Sequence, residues 1–227
     1  KSDAVWIMKY GASQDLELWE GDSELMQENL QLTRLLSVYI KQSTQLKNKI
    51  HGEHTLGNPS KVVVNSLKRQ LRFLSKEIKN LEEKLSENVR SEHQKSLTLL
   101  KSIPGIGEKT AISLIVLTDN FTRFDSYKGL CSYAGITPVI RESGSSVKGR
   151  PRISKMGNAK LRNLLFMCSF NACRFNSACR ALYERLVAKG KSKKLALIAV
   201  CNKLLKQAFS IVRSGLPYDP NHCSVIK

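Results

Sequence analysis

The amino-acid sequence predicts a mainly α protein, in which a long antiparallel helical hairpin, paired as a coiled coil, precedes a compact helical domain containing a helix-hairpin-helix. Three observations support this fold class. Leucines recur at heptad spacing through the first 90 residues, short segments rich in Gly, Asn and Pro separate the periodic stretches, and helix-capping residues precede the apolar stretches of the C-terminal half. The 227 residues suffice for one large or two modest domains.

The chain begins with KSDAVWIMKYGA, whose apolar residues predict a short helix closed by Gly11. Two heptad-spaced runs follow. The first, with polar Asn29 and Ser43 in its seam, consists of Leu25, Leu32, Leu36, Tyr39, Leu46 and Ile50. The second alternates steps of four and three residues through Leu67, Leu71, Leu74, Ile78, Leu81 and Leu85. Because the first seam is too polar to cover the second, we expect the hairpin to pair with another copy, as a dimer at least.

The stretch LLKSIPGIGEKTAISLIVL predicts a helix, a tight turn and a second helix. Such a helix-hairpin-helix presents backbone N–H groups at a helix N-terminus, where they can bind a DNA phosphate. Gly105, Gly107 and Lys109 are the predicted DNA-binding residues of this turn. A glycine-rich turn can also be a packing corner, and the sequence leaves that alternative open.

Further along, a short helix is predicted from about Ser126 to Gly135. Asn158 and Asn176 each precede an apolar stretch as helix caps, and a last helix is predicted from Ser192 to Ser214. Between them, residues 139–157 are expected to form a long charged loop, too long to serve only as a connector.

The positive charge is concentrated in one half of the chain. Of the formal net charge of +18, residues 1–98 carry +2 and residues 99–227 carry +16. Lysines and arginines that neutralise phosphates gain free energy from counterion release, so this distribution favours a nucleic-acid partner over a generally basic surface.

The cysteines and the hydropathy of the sequence indicate in which cellular compartment the protein is expected. The six cysteines form no CxxC pair and fall in apolar stretches, which predicts free, buried thiols in a reducing compartment. No membrane span is expected, because no apolar run approaches the roughly 18 to 20 residues needed to span a bilayer and no signal peptide opens the chain. We therefore expect a cytoplasmic protein with no membrane partner.

The stretch RESGSSVKGRPRISKMGN contains three serines, Ser143, Ser145 and Ser146, within a basic segment. One acid, Glu142, and seven cations lie between residues 141 and 162: Arg141, Lys148, Arg150, Arg152, Lys155, Lys160 and Arg162. A serine that attacks a phosphodiester needs an exposed hydroxyl and cations that balance charge on phosphorus. An ordinary flexible turn has the same composition, and no general base is evident.

Four motifs, in order, resemble the DEDD-type insertion-sequence transposases, which are guided by a bridge RNA and related to Piv-like DNA invertases: LLKSIPGIGEKTA, LCSYAGITP, ESGSSVKGRPRISKMGNAKLRNLL and RLVAKGKSKKLALIAVCNKLL. The resemblance covers essentially the whole chain. It implies a DNA transposase or site-specific recombinase in which Ser143 is the nucleophile and Ser145 and Ser146 are secondary. Phosphate contacts are then expected from the basic residues Arg141, Lys148, Arg150, Arg152 and Lys155.

The resemblance also implies a magnesium site. Proteins of this family place a RuvC-like domain before the hairpin, and KSDA matches the last part of its acidic site, so Asp3 is an expected Mg²⁺ ligand. The implied division is a RuvC-like remnant and linker at 1–22, the coiled-coil hairpin at 23–96 and the helical transposase domain at 97–227. Without its RuvC-like domain the chain is expected to be inactive; with it, DNA, a guide RNA and a second copy are the expected partners, at the nucleoid. The alternatives are a non-catalytic helix-hairpin-helix module that binds DNA and a role in RNA binding alone.

Overall fold

The computed structural model describes residues 2–14, 21–139, 142–143, 147–149 and 152–221, with the backbone alone at residues 142, 143, 147 and 148. The protein is mainly α, as predicted. The helices are α1 Ser2–Ser13, α2 Glu24–Thr55, α3 Lys61–Lys101, α4 Glu108–Thr118, α5 Tyr127–Tyr133, α6 Ala159–Phe175, α7 Ser177–Ala188 and α8 Lys193–Ser214.

Helices α2 and α3 form the predicted antiparallel hairpin. The side chain of Ser23 caps α2 by accepting a hydrogen bond from the Met26 amide at 3.2 Å. Near the open end of the hairpin, the buried Asn88 donates from Nδ2 to Asn29 Oδ1 at 3.0 Å and to Glu28 Oε2 at 2.9 Å. A buried amide pair is satisfied in one alignment only, so this contact sets the register of the two helices.

Helix α3 continues across residue 96, where the division between hairpin and helical domain was expected. It is interrupted only at His93, whose φ of −126° and ψ of 30° are non-helical. No Gly or Pro occurs between residues 61 and 101, so nothing in the sequence stops the helix there. The hairpin and the helical body therefore share one long helix.

The helical body is built around α4, in which eight of eleven residues are buried. Leu114 of α4, Leu165 of α6 and Leu204 of α8 are all fully buried in one hydrophobic cluster. The two predicted caps are present, because Asn158 accepts from the Leu161 amide and Asn176 from the Cys179 amide. Ser192, the predicted start of the last helix, caps it by accepting from the Leu195 amide. Cap and apolar periodicity together therefore predicted these helix starts correctly.

Helix α8 corrects the expectation that no stretch has the length and composition to cross a membrane. Its 22 residues, Lys193–Ser214, meet both criteria, and it is the one helix to do so in the described part of the chain. Ala196, Val200 and Leu205 of this helix are fully buried, and it packs against α6 and α7. Its apolar character is thus accounted for by the core of the helical body.

Residues 139–157 correct a second expectation, because this segment is not an irregular loop. It contains four short strands, β1 Pro138–Val139, β2 Glu142–Ser143, β3 Val147–Lys148 and β4 Arg152–Ile153. β1 pairs with β4 and β2 with β3, both antiparallel, so the two ladders are nested along one ribbon. The β-branched residues Val139, Val147 and Ile153 favour extended backbone, a signal hidden by the surrounding charges and glycines.

Helix α1 does not end at Gly11 as expected but continues to Ser13, because a single glycine costs a helix only about 1 kcal/mol. Every residue of α1 is exposed, including Trp6 at 69%. The helix packs against no other element of the described chain.

The expectation of free thiols, most of them buried, is confirmed for the cysteines that the structure describes. Cys131, Cys168, Cys179 and Cys201 are free and buried, Cys173 is free and partly buried, and Cys223 lies outside the described residues. Burial raises the pKa of Cys179 and of Cys201 to about 12, so both are neutral thiols in the folded protein at physiological pH.

The junction of α6 and α7 depends on Asn176, a fully buried residue. Its Oδ1 accepts from the Cys179 amide at 3.1 Å and from the Tyr218 hydroxyl at 3.1 Å, and its Nδ2 donates to Gln207 Oε1 at 3.0 Å. We expect Asn176→Ala to lower the free energy of unfolding by about 2–4 kcal/mol, because it removes a helix cap and leaves buried partners unsatisfied. Urea unfolding measures this loss. The exposed Asn171→Ala on α6 is the control, for which we expect a change within about 0.5 kcal/mol.

Candidate functional site

The ribbon β1–β4 is attached to the body where α5 ends and α6 begins. The Asn158 amide donates to the Tyr133 carbonyl at 2.7 Å, and the Lys155 amide donates to the Gly135 carbonyl at 3.2 Å. The Ser154 amide donates to the carbonyl of Thr137 at 3.0 Å. Three backbone hydrogen bonds thus join the segment after β4 to the end of α5 and to the residues that lead from α5 into β1.

Two glycines permit this close attachment. Gly135 and Gly157 have φ values of 68° and 125°, a region that favours glycine. A Cβ on Gly157 would overlap the Tyr133 carbonyl oxygen, and one on Gly135 would overlap the Met156 carbonyl oxygen. The ribbon base is therefore held against backbone atoms that cannot move aside.

The side chain of Tyr133 joins the ribbon base to the buried α4. Its hydroxyl donates to the Leu117 carbonyl at 3.2 Å and accepts from Asn158 Nδ2 at 3.0 Å. Asn158 also caps α6, so one network orients the ribbon, α4 and α6 together. Of this network, the sequence predicted only that Asn158 caps a helix. It gave no indication that Tyr133 joins the ribbon base to α4.

The predicted nucleophile Ser143 lies in β2, where its Cα is paired with Val147 of β3. It occupies the last described position of this strand before the three residues that connect β2 to β3. Of the other predicted residues of this segment, Ser145, Ser146, Arg141 and Arg150 lie outside the described residues, and Lys148 is described by its backbone alone.

The structure separates the described cations of this segment into two groups. Arg152 and Lys155 are exposed, as a phosphate contact requires. Arg162, by contrast, donates to the Ala134 carbonyl at 2.9 Å. Lys160 donates from Nζ to the Thr33 carbonyl and to the Ser37 hydroxyl, both at 2.9 Å, and so joins α6 to the hairpin.

Burial lowers the pKa of Lys160, which lies at this junction without an acidic partner among the residues described. Its structural role and that of Arg162 were missed at the sequence level. The density of charged residues in the sequence does not show which cations bind a backbone carbonyl and which are exposed to solvent.

At the α3–α4 turn, Gly105 and Gly107 differ in role. Gly105 has a φ of 106°, and a Cβ there would lie 2.8 Å from the Cβ of Ala172 and 2.9 Å from its backbone nitrogen. Gly105 is therefore needed for packing against α6. Gly107 is exposed at the N-terminus of α4, with open space around it.

The charged residues that follow Gly107 are paired within the protein. Glu108 contacts Arg90 at 2.5 Å and Lys101 at 3.2 Å, and hydrogen bonds from these two cations lower its pKa. The predicted DNA-binding residue Lys109 contacts Glu82 at 2.6 Å. The α4 N-terminus thus already has a carboxylate beside it, so phosphate binding at the turn remains a prediction.

The ribbon and the turn lie at opposite ends of α6. Asn158 caps the helix beside the ribbon, whereas Ala172 contacts Gly105 fourteen residues later. A rise of 1.5 Å per residue separates them by about 21 Å. The structure therefore does not bring the two predicted groups of DNA-binding residues together.

The predicted metal ligand Asp3 is exposed in the first turn of α1, next to the hydroxyl of Ser2 at 3.4 Å. In the described ranges, no three His, Cys, Asp or Glu side chains are grouped so that they could hold a metal ion. One carboxylate is too few for Mg²⁺, which requires six oxygen ligands in octahedral geometry. The described residues alone therefore do not form a magnesium site.

A C-terminal half with a net charge of +16 and the exposed cations Arg152 and Lys155 is typical of proteins that bind nucleic acid. Residues 97–184, from the end of α3 through the ribbon to α7, match the family model described as Transposase IS116/IS110/IS902 family. The pilin gene-inverting proteins of Moraxella lacunata and Moraxella bovis are each 33% identical over 226 residues, covering 96% of this chain and 67% of theirs.

A further relative is the insertion element IS110 uncharacterized 43.6 kDa protein of Streptomyces coelicolor, 30% identical over 158 residues, which are 70% of this chain and 38% of that protein. The chain belongs to the IS116/IS110/IS902 transposase family. Membership of this family supports a role in DNA transposition or recombination. The chain spans about two thirds of the length of the inverting proteins.

Substitutions of the two glycines in the α3–α4 turn distinguish a role in packing from a role in DNA binding. We expect Gly105→Ala to lower the free energy of unfolding by at least about 3 kcal/mol, because the new Cβ overlaps Ala172 at a strained φ. Gly107→Ala should cost about 1 kcal/mol or less. Thermal unfolding measures both. Gly107→Asp places a further carboxylate at the N-terminus of α4, where it would repel a phosphate, so unchanged DNA affinity of this variant would show that the predicted phosphate contact is wrong.

Proposed function

We propose that this chain is the hairpin and catalytic part of a DNA transposase or site-specific recombinase that cuts and rejoins DNA through a serine–DNA covalent intermediate, with Ser143 as the nucleophile. The observation that carries the proposal is the place of Ser143 on a ribbon whose base is tied to α4, α5 and α6. Family membership and the similarity to proteins named for inverting a pilin gene support it.

In the proposed reaction, Ser143 Oγ attacks the phosphorus of a DNA phosphodiester and loses its proton. The bond from phosphorus to the 3′ oxygen breaks, and this oxygen takes up a proton to become a free 3′ hydroxyl. The 3′ hydroxyl of a second strand then attacks the phosphoserine and releases the serine. No external energy source is required, because each step exchanges one phosphate ester for another.

The ribbon cations are proposed to balance the charge that develops on phosphorus. Arg152 and Lys155 are exposed on the strand side that returns to α6. Arg141, Lys148 and Arg150 are proposed to contribute in the same way, on the strength of their sequence positions beside Ser143, Ser145 and Ser146.

The remaining parts of the proposal concern groups outside this chain. We propose that Asp3 is one ligand of a Mg²⁺ whose other ligands come from a RuvC-like domain, and that a guide RNA selects the DNA. Pairing of the hairpin with a second copy is proposed because Phe73, 63% exposed, and Leu46 line an open groove between α2 and α3. The proposed site of action is the nucleoid in the cytoplasm.

A non-catalytic helix-hairpin-helix module that binds DNA is the second candidate function. The observation that favours it is the exposed Gly107 at the start of α4, where backbone N–H groups have no helical partner. The two candidates differ in one product, because only the recombinase forms a covalent bond to DNA.

In the intact recombinase, we expect Ser143→Ala to abolish strand exchange and the covalent adduct while DNA binding stays nearly unchanged, since one hydroxyl adds little to an interface dominated by cations. Ser145→Ala and Ser146→Ala should only slow the reaction. Denaturing electrophoresis of protein bound to labelled DNA detects the adduct. The chain alone should form none; strand joining by the Ser143→Ala enzyme would show that another group is the nucleophile.

The binding of this chain to duplex DNA should weaken steeply as salt is added, because residues 99–227 carry +16 and release counterions from phosphates. Fluorescence anisotropy with duplexes of unrelated sequence at several salt concentrations measures the slope. We expect similar affinities for the different sequences. A slope near zero would contradict the proposal that this half of the protein contacts DNA phosphates.

A further inference from the structure

The turn between α7 and α8 carries a dense cluster of lysines to which none of the functions above assigns a role. We call it the lysine turn, and it consists of Lys189, Lys191, Lys193 and Lys194. All four are exposed. With Arg185 they place five cations and no acid between residues 185 and 194. This is a high density of charge for a turn of a folded domain, where like charges repel.

Within the described chain, no acid pairs with these lysines. The salt bridges found there use Lys49, Lys79, Lys101, Lys109, Arg90, Arg123 and a histidine, and none involves the lysine turn. Lys109 and Lys160, by comparison, are satisfied within the protein. The positive charge of the lysine turn is therefore available to a partner.

The backbone holds the turn in a defined shape. Gly190 adopts a φ of 74°, the Gly190 amide donates to the Val187 carbonyl, and the Lys191 amide donates to the Leu186 carbonyl. Ser192 then caps α8 through the Leu195 amide at 3.3 Å. The first amides of α8 have no helical acceptor, so the positive end of the helix dipole adds to the lysine charges.

The described side-chain contacts between α8 and the region of α5 come from the C-terminal half of α8. Lys206 Nζ lies 4.6 Å from the centre of the Tyr127 ring, and Arg213 donates to the Phe124 carbonyl at 2.6 Å. Lys194, the last residue of the lysine turn, precedes Lys206 by 12 residues, which is about 18 Å along the helix.

The serine ribbon is attached to the start of α6 and to the end of α5, where Tyr133 packs against Phe124. One helical turn of B-DNA rises about 34 Å, so a single duplex is long enough to contact both the lysine turn and the exposed Arg152 and Lys155 of the ribbon.

We propose that the lysine turn is a second phosphate-binding site, which holds the backbone of the duplex DNA whose scissile phosphate is presented to the ribbon. This inference rests on the proposed function, in which the ribbon acts on DNA. It adds a contact on the chain's own α8, outside the 97–184 segment that matches the transposase family model. A duplex held at two points is fixed in orientation, which an in-line attack on phosphorus requires.

The residues of the turn favour a duplex over an unpaired strand. Residues 189–195, KGKSKKL, include no aromatic side chain on which an unpaired base could stack. Lysines are flexible point charges that contact phosphates without reading base edges. The site is thus suited to a continuous double-stranded backbone, and it should bind without sequence preference.

The test replaces Lys189, Lys191, Lys193 and Lys194 with Gln in this chain and measures duplex DNA affinity against salt. The matched control replaces four exposed hairpin lysines with Gln and removes the same charge: Lys41, Lys47, Lys61 and Lys68. Because each lost phosphate contact reduces the slope of log K against log salt by about 0.9, we expect the turn variant to lose about 3 to 4 from the slope. Its affinity at low salt should fall at least about tenfold more than that of the control.

A second measurement needs no variant. Amine-reactive labelling of the unmodified chain, read by mass spectrometry, should show duplex DNA protecting the four turn lysines but not the four hairpin lysines. Equal slopes for the turn and hairpin variants, or equal labelling with and without DNA, would overturn the inference. Protection by an RNA duplex and not by DNA would overturn it as well. If the unmodified chain shows no salt-dependent DNA binding at all, the proposed function itself fails.

Discussion

The packing of α6 in the helical body is the constraint on which the rest of the structure depends. One face of this helix, with Leu161, Leu165 and Ala172 fully buried, is enclosed by the core. At one end Ala172 leaves no room for a side chain on Gly105, and at the other Asn158 fastens the ribbon. Moving α6 would therefore displace both predicted DNA-contact regions at once.

The cations of the C-terminal half divide into those that stabilise the fold and those that face solvent. Lys160 and Arg162 donate hydrogen bonds to backbone carbonyls within the protein. Arg152, Lys155 and the lysine turn remain exposed. Cations of the same formal charge thus have two different roles. Only the exposed cations can contact a nucleic acid and release its counterions.

The hairpin is joined to the body by a shared helix and by a side-chain contact. Helix α3 runs from the hairpin into the body, and Lys160 reaches from α6 to the Thr33 carbonyl of α2. The break at His93 is the one non-helical residue inside α3. Geometry at the base of the hairpin is therefore coupled to the position of the helix that carries the ribbon.

The sequence by itself determined the mainly α fold, the hairpin, the helix starts at Asn158, Asn176 and Ser192, and the serine segment, because caps and apolar periodicity act over a few neighbouring residues. The predictions that α1 ends at Gly11 and that residues 139–157 form a loop were wrong. Only the tertiary structure decided that Gly105 serves packing and that Lys160 and Arg162 face backbone carbonyls. These facts depend on contacts between residues far apart in the chain, and local pattern carries no record of which distant groups will meet.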